Sequence, residues 1–184
     1  MDLETIIYAA SGGVARITLN RPDRLNAISP ELLRDLDRAC AAVEADPGAK
    51  AVTLTAAGRA FCAGADLRAV RELSPDPERW GAFMGLWHRV FDRIEALPVP
   101  VIAGVHGLAL AGGLELVLVA DLVVADEAAR LGDQHANFGL VARAFGTELA
   151  EGLALERRLV AEHMRSADAA EGLRAFAEKR KPRF

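Results

Sequence analysis

The sequence predicts an α/β fold on three observations. Short β-rich runs alternate with segments of helical periodicity, and two glycine-rich turns each follow a strand-like run and open a helix. Proline and glycine also punctuate the transitions between these segments. Residues 6–9 and 14–19 are β-rich and flank Ser11-Gly12-Gly13, a hairpin signal. Asn20-Arg21-Pro22-Asp23 breaks the second strand. Ser29 then stands as a cap before Pro30 at the first helical position, and Leu32, Leu33, Leu36, Ala39, Cys40 and Val43 follow at helical spacing. Asp46-Pro47-Gly48 stops that helix.

Residues 50–55 read as a buried strand delivering the chain to the first glycine turn, Phe61-Cys62-Ala63-Gly64-Ala65-Asp66-Leu67. Trp80, Phe83, Met84, Trp87, Phe91 and Ile94 recur every three or four residues over 77–97, giving a long amphipathic helix ended by Pro98 and Pro100. Residues 101–105 form a strand that feeds the second turn, Leu110-Ala111-Gly112-Gly113-Leu114-Glu115-Leu116, and 114–119 form the next helix. Residues 122–125 and the run near Leu131 predict further short strands. Beyond Gly146 the pattern becomes helical, over 148–163 and 167–179, with Ser166 capping the second helix.

Bulk properties narrow the function classes. A chain of 184 residues with 52% hydrophobic content supports one domain with a real core. A net charge of −4 without a basic stripe argues against nucleic acid as a partner. Cys40 and Cys62 make neither a disulfide framework nor a metal-ligand pattern, and His88, His106 and His163 show no ligand spacing, so no metal is expected. The acidic start lacks the features of a signal peptide, which with the cysteine usage places the protein in the cytoplasm. The apolar stretch 101–125 is long enough to cross a bilayer, but it holds Glu115 and Asp121, each costing roughly 2.5–3.5 kcal/mol at mid-membrane. Four glycines also interrupt it, so it reads as a buried strand, turn and helix, with no membrane partner.

The paired turns carry the chemistry. Each can direct unpaired backbone N–H groups at one ligand atom, and two such donors converging on a carbonyl oxygen stabilise an enolate or a tetrahedral adduct. Tight packing of helix against strand is the alternative use for Gly64, Gly112 and Gly113. Neither turn has the ending of a phosphate-binding loop or the spacing of a dinucleotide fingerprint.

Several motifs together resemble the enoyl-CoA hydratase/isomerase (crotonase) family. They are Asn20-Arg21-Pro22 with Leu25-Asn26-Ala27, Ala60-Phe61-Cys62-Ala63-Gly64-Ala65-Asp66-Leu67, Gly107-Leu108-Ala109-Leu110-Ala111-Gly112-Gly113-Leu114-Glu115-Leu116 and Ala120-Asp121-Leu122. The resemblance implies a crotonase-like spiral of ββα units, truncated and followed by C-terminal helices, with a core over 1–145 and a helical segment over 146–184. It implies an acyl-CoA thioester as partner, coenzyme A being part of the substrate and no further cofactor being needed. The thioester carbonyl would lie between the N–H groups of Ala63 and Gly112, with Glu115 as acid/base. Arg24, Ala27, Gly64, Ala65, Asp66, Lys179 and Lys181 match positions that contact substrate or CoA, and the family assembles as trimers or hexamers.

This chain departs from the family in two ways. Where hydratases carry a second glutamate, twenty positions after the first, it has His135, which can exchange protons near neutral pH or can be a hydrogen-bonded loop residue; Asp133 is a weaker substitute. The segment after Phe138-Gly139-Leu140-Val141 is also shortened internally, which implies uncovered apolar surface on the preceding strands. Two readings follow: an enzyme that stabilises a thioester enolate, of hydratase or isomerase type, or a catalytically silent relative that binds CoA esters or a partner chain. Cys62 reads as packing, Asp66 as a helix cap, Trp80, Phe83, Met84 and Trp87 as core or acyl pocket, and the basic ending with Phe184 as a solvated tail or a CoA contact.

Overall fold

The computed structural model describes residues 3–133, 162, 164–178 and 180–183. The hairpin forms as expected: β1 (Ile6–Ser11) pairs antiparallel with β2 (Val14–Leu19), and Gly12 and Gly13 turn the chain at φ 61° and 81°. A 3-10 turn (Pro22–Arg24) precedes α1 (Pro30–Glu44), whose cap Ser29 accepts the Leu32 N–H at 3.3 Å. Strand β3 (Ala51–Ala56) leads through an irregular stretch to α2 (Leu67–Leu73), capped by Asp66, and to α3 (Pro77–Glu95), capped by Asp76. After β4 (Val101–Val105), β5 (Leu108–Leu110) and α4 (Gly112–Leu118) come β6 (Leu122–Ala125), β7 (Arg130–Gly132) and α5 (Ala167–Ala177). Ser166 Oγ accepts the Ala169 N–H at 3.1 Å, as the cap assignment requires. The expected helix over 148–163 and the 145/146 boundary lie outside the described residues.

Two sheets organise these elements. The larger runs β1-β2-β3-β4-β6, parallel from β2 onward; the smaller pairs β5 with β7. A parallel bridge from Cys62 to Ala109 sets the first glycine turn beside β5. From β3 onward the chain repeats one step: β3, β4 and β6 lie in the large sheet, and the segments that follow them, the Cys62 bridge, β5 and β7, lie together beside it. The short strand β5, absent from the sequence expectation, is what separates the second turn from β4.

Helix α1 packs against β1, β2 and α3, and Leu32, Leu33, Leu36, Phe83, Val90 and Ile94 from the two helices join the strand residues in one core. Arg93 locks the two helices together through Asp37 (2.7 Å) and Glu44 (2.6 Å). Asp35 is buried within α1 and accepts from the N–H groups of Glu4 and Thr5 and from the Thr5 hydroxyl, which anchors the start of β1. At the other edge of the sheet, among the described residues, Leu122 and Val124 on β6 are 60% and 67% exposed, and Leu118 is 71% exposed.

Candidate functional site

Three loops are stitched together by hydrogen bonds. After the 3-10 turn, Leu25 and Asn26 adopt φ 51° and 54°, a left-handed conformation that asparagine tolerates better than most residues. Asn26 is fully buried, its Oδ1 accepts from Arg21 N at 2.7 Å, and its Nδ2 donates to the carbonyls of Ala57 and Ala60 at 2.8 Å each. It thereby ties the loop of Arg24 and Ala27 to the segment entering the first glycine turn.

That segment then lies between two neighbours. Cys62 N donates to Leu108 O and Leu110 N to Cys62 O, both at 3.0 Å, on the β5 side. On the other side Ile28 N donates to Gly64 O and Asp66 N to Ile28 O, both at 2.8 Å. Gly64 adopts φ 93°, and a Cβ there would stand 2.9 Å from Leu110 O and 3.5 Å from Gly112 N. A Cβ on Gly113 would come within 2.2 Å of Cys62 O. The two turns are therefore in direct contact, and glycine is what permits it.

The backbone bonds decide which donors are available. Ala63 N–H donates to Leu25 O at 3.0 Å, so the expected donor of the first turn is already engaged. Among the described residues no group accepts the N–H of Gly64, Ala65, Gly112 or Gly113. In a trans peptide the N–H points opposite to the preceding carbonyl. Because Gly64 O faces Ile28, Ala65 N–H faces away from Ile28. Ala63 N–H, the donor expected from the sequence, is thus engaged within the fold, and the first turn presents the N–H groups of Gly64 and Ala65, beside that of Gly112 in the second, without acceptors among the described residues.

Ala111, just before Gly112, sits at φ 49°, ψ −121°, a strained setting for a residue with a Cβ. Its N–H bonds to Gly132 O at 3.0 Å, and its carbonyl accepts from Leu114 N and Glu115 N at 2.8 and 3.0 Å. These bonds hold the turn in the conformation that presents Gly112 N at the start of α4. Glu115 lies half-buried in the first turn of α4, close enough for its charge to act on the Cys62 thiol.

These folded segments also match known proteins. Residues 9–151 fit the family described as Enoyl-CoA hydratase/isomerase. The chain belongs to the enoyl-CoA hydratase/isomerase family. It is 37% identical over 149 residues to a short-chain-enoyl-CoA hydratase of Clostridium acetobutylicum, an alignment covering 80% of this chain and 56% of that protein. It is 36% identical over 149 residues to the 1,2-epoxyphenylacetyl-CoA isomerase of Escherichia coli, covering 80% and 57%. The chain thus spans little more than half the length of these relatives. A crystal structure of an enoyl-CoA hydratase from Mycobacterium avium subsp. paratuberculosis superimposes with a TM-score of 0.76 over 100% of this chain and 99% of that one; at 23% identity this shows the shared fold.

Within this enoyl-CoA hydratase/isomerase chain the remaining expected positions fall into three groups. Arg24 is exposed on the stitched loop, while Ala27 is buried, its N–H donating to Arg24 O at 3.0 Å and its carbonyl accepting from the Arg21 guanidinium. Asp66 caps α2 through Arg68 N (3.1 Å) and pairs with Arg21 (2.9 Å), so both its oxygens serve the fold. Lys181 is exposed in the C-terminal tail, which Glu171 fastens by accepting from Arg180 (2.5 Å) and from Arg183 N (2.9 Å). His135 and Lys179 lie outside the described residues, as does Phe184; Asp133 follows the Gly132 that anchors Ala111.

Cys62 is fully buried in the core, and burial pushes its thiol up to about 12, with the Glu115 charge a smaller cause in the same direction. Burial likewise raises Cys40 to about 12. Among the described residues no group of three or more His, Cys, Asp or Glu could hold a metal ion, and no helix is long and apolar enough to cross a membrane. A groove of about 400 Å³ opens between α1, α2 and the start of α3, beside Arg21, Ser29, Asp66, Arg68 and Arg79. It contains neither Glu115 nor the free amides, so it is separate from the site.

Sequence reasoning missed the tie made by Asn26 and the acceptor role of Leu25. An asparagine following a proline turn in an otherwise apolar Leu-Asn-Ala run was the available signal, because a buried amide needs partners.

Proposed function

We infer that the chain is an acyl-CoA enzyme of hydratase or isomerase type. A thioester carbonyl oxygen accepts from the N–H groups of Ala65 and Gly112, which form an oxyanion hole, and Glu115 exchanges the proton at the carbon next to that carbonyl. The contact of the two glycine turns, with neither amide accepted by any described residue, carries this reading. As negative charge moves from the adjacent carbon onto the oxygen, two fixed donors stabilise it without reorganising, and the start of α4 adds its favourable dipole.

In hydration, the hydroxyl of water joins the β carbon of a 2-enoyl thioester and its proton ends on the α carbon. In isomerisation, the proton leaves the α carbon of a 3-enoyl thioester and returns at the γ carbon. Glu115 supplies one acid/base group for either course, and His135 is assigned the second from the sequence. The CoA moiety runs over the Arg24 to Ala27 loop toward the basic tail, and no cofactor beyond the substrate's own CoA is required. A cytoplasmic setting suits the two unpaired, buried thiols. Assembly into trimers or hexamers belongs to the same reading.

The apolar residues of β6, exposed among the described residues, favour a second reading, a silent relative that binds CoA esters or a partner chain. Purified protein given crotonyl-CoA and a 3-enoyl-CoA separates the two. Loss of the enoyl thioester absorbance, abolished in Glu115→Gln, supports the enzyme. Binding of both thioesters with no product by mass supports the silent relative and overturns the first reading.

A further inference from the structure

The Arg21 side chain spans the two chain segments that hold the Ala65 amide. Ile28 and Ala65 form a parallel bridge outside any strand, made by Ile28 N donating to Gly64 O and Asp66 N to Ile28 O at 2.8 Å each. These two bonds alone set the direction of the Ala65 N–H across the bridge. The Arg21 guanidinium grips the residues flanking it, with Nη1 donating to the carbonyl of Ala27, just before Ile28, and Nη2 to Asp66 Oδ2, just after Ala65, at 2.9 Å. A planar fork fixes both contacts together. Its own base is fixed too, because Arg21 N donates to Asn26 Oδ1 at 2.7 Å and Arg21 O accepts from Arg24 N and Asn26 N at 2.9 Å each. Asp66 is anchored in turn, its Oδ1 accepting from Arg68 N at 3.1 Å. The two side chains are only 19% and 12% exposed, so this pair is largely shielded from water, unlike an ordinary surface ion pair.

We propose that Arg21 is a positioning residue of the oxyanion hole, clamping the Ile28–Ala65 bridge so that the Ala65 N–H stays aimed at the thioester oxygen as charge develops there. The inference deepens the acyl-CoA reading above and rests on it. A donor stabilises an oxyanion only while it stays within about 2.7–3.1 Å of it, and a displacement of about 1 Å costs about 10²-fold in rate. The residue before the donor is Gly64 at φ 93°, which the contact with the second turn requires but which leaves the backbone soft. Arg21 supplies the missing stiffness from the other side of Ala65. Its charge also offsets that of Asp66, a carboxylate one residue past the donor that would otherwise oppose the forming oxyanion.

The test reads the donors directly, through the carbonyl stretch of butyryl-CoA isotope-labelled at its thioester carbon. This saturated thioester can be neither hydrated nor isomerised. Bound at saturation to the wild-type protein, its carbonyl is polarised by the two amides and the stretch moves to lower frequency. In Arg21→Met, which keeps the stem but deletes both contacts, the stretch returns toward its frequency in water, and kcat with crotonyl-CoA falls about 10–100-fold. Arg21→Lys keeps the charge without the planar fork and gives an intermediate frequency. A merely structural role lowers the urea midpoint but leaves the frequency of the bound thioester where it is. The full wild-type downshift in Arg21→Met, or in Arg21→Lys should the first variant not fold, overturns the positioning role and leaves the oxyanion reading intact. No downshift on binding to the wild-type protein, or no binding at all, overturns both.

Discussion

The carbonyl of Leu25 accepts the N–H of Ala63 at 3.0 Å, and this bond engages within the fold one of the amides that the first glycine turn could present. With Gly64 O held by Ile28 N, Ala65 N–H faces away from Ile28 and is the first-turn donor that the proposed oxyanion hole uses.

The resulting prediction concerns Ala65→Pro. Proline removes the N–H of position 65, which no described group accepts, and deletes neither of the groups that bond Ile28, Gly64 O and Asp66 N. Far-UV circular dichroism should therefore stay unchanged while kcat falls about 10²–10³-fold, the usual cost of losing one oxyanion donor. An unaffected kcat refutes the assignment.

Asn26 should matter through stability. Asn26→Ala leaves the carbonyls of Ala57 and Ala60 and the Arg21 N–H without their partner and places alanine at a positive φ. A loss of about 3 kcal/mol in urea unfolding is expected. A change below measurement error shows that the tie is dispensable.

Ala111 invites the opposite substitution. Its φ of 49° with ψ of −121° suits glycine, so Ala111→Gly relieves strain of about 1–3 kcal/mol against a glycine entropy cost of about 0.5–1 kcal/mol. The melting temperature should rise. Should it fall, the strain at this turn is smaller than the entropy that glycine adds.

The two thiols give a pH dependence. Folding raises Cys40 and Cys62 from an ordinary value of 9.0 to about 12, so the unfolded chain ionises first as pH rises. Their contribution to stability is complete below pH 9 and is lost between pH 9 and about 12. Urea midpoints measured at rising alkaline pH should decline across this window, and less steeply in Cys62→Ala. Native protein should also resist iodoacetamide at pH 8, since a buried neutral thiol is not a nucleophile.

The hairpin at Gly12-Gly13, the Ser29 and Asp66 caps, the amphipathic face of α3 and the strand runs of β2, β3, β4 and β6 were legible in the sequence because each depends on residues near one another in the chain. Strand β5 was not, being three residues long and held by its pairing with β7 and Cys62. The glycine turns were legible as a pair of donor-bearing turns, and Glu115 as the carboxylate beside the second. Which amide of the first turn is free depends on Leu25, 38 positions from Ala63 in sequence and in contact with it only in the fold. The sequence alone determined the kinds of group this protein can offer, since side-chain and turn chemistry is local. Tertiary structure decided which of them are available, because a hydrogen bond to a distant carbonyl removes a donor that local sequence presents as free.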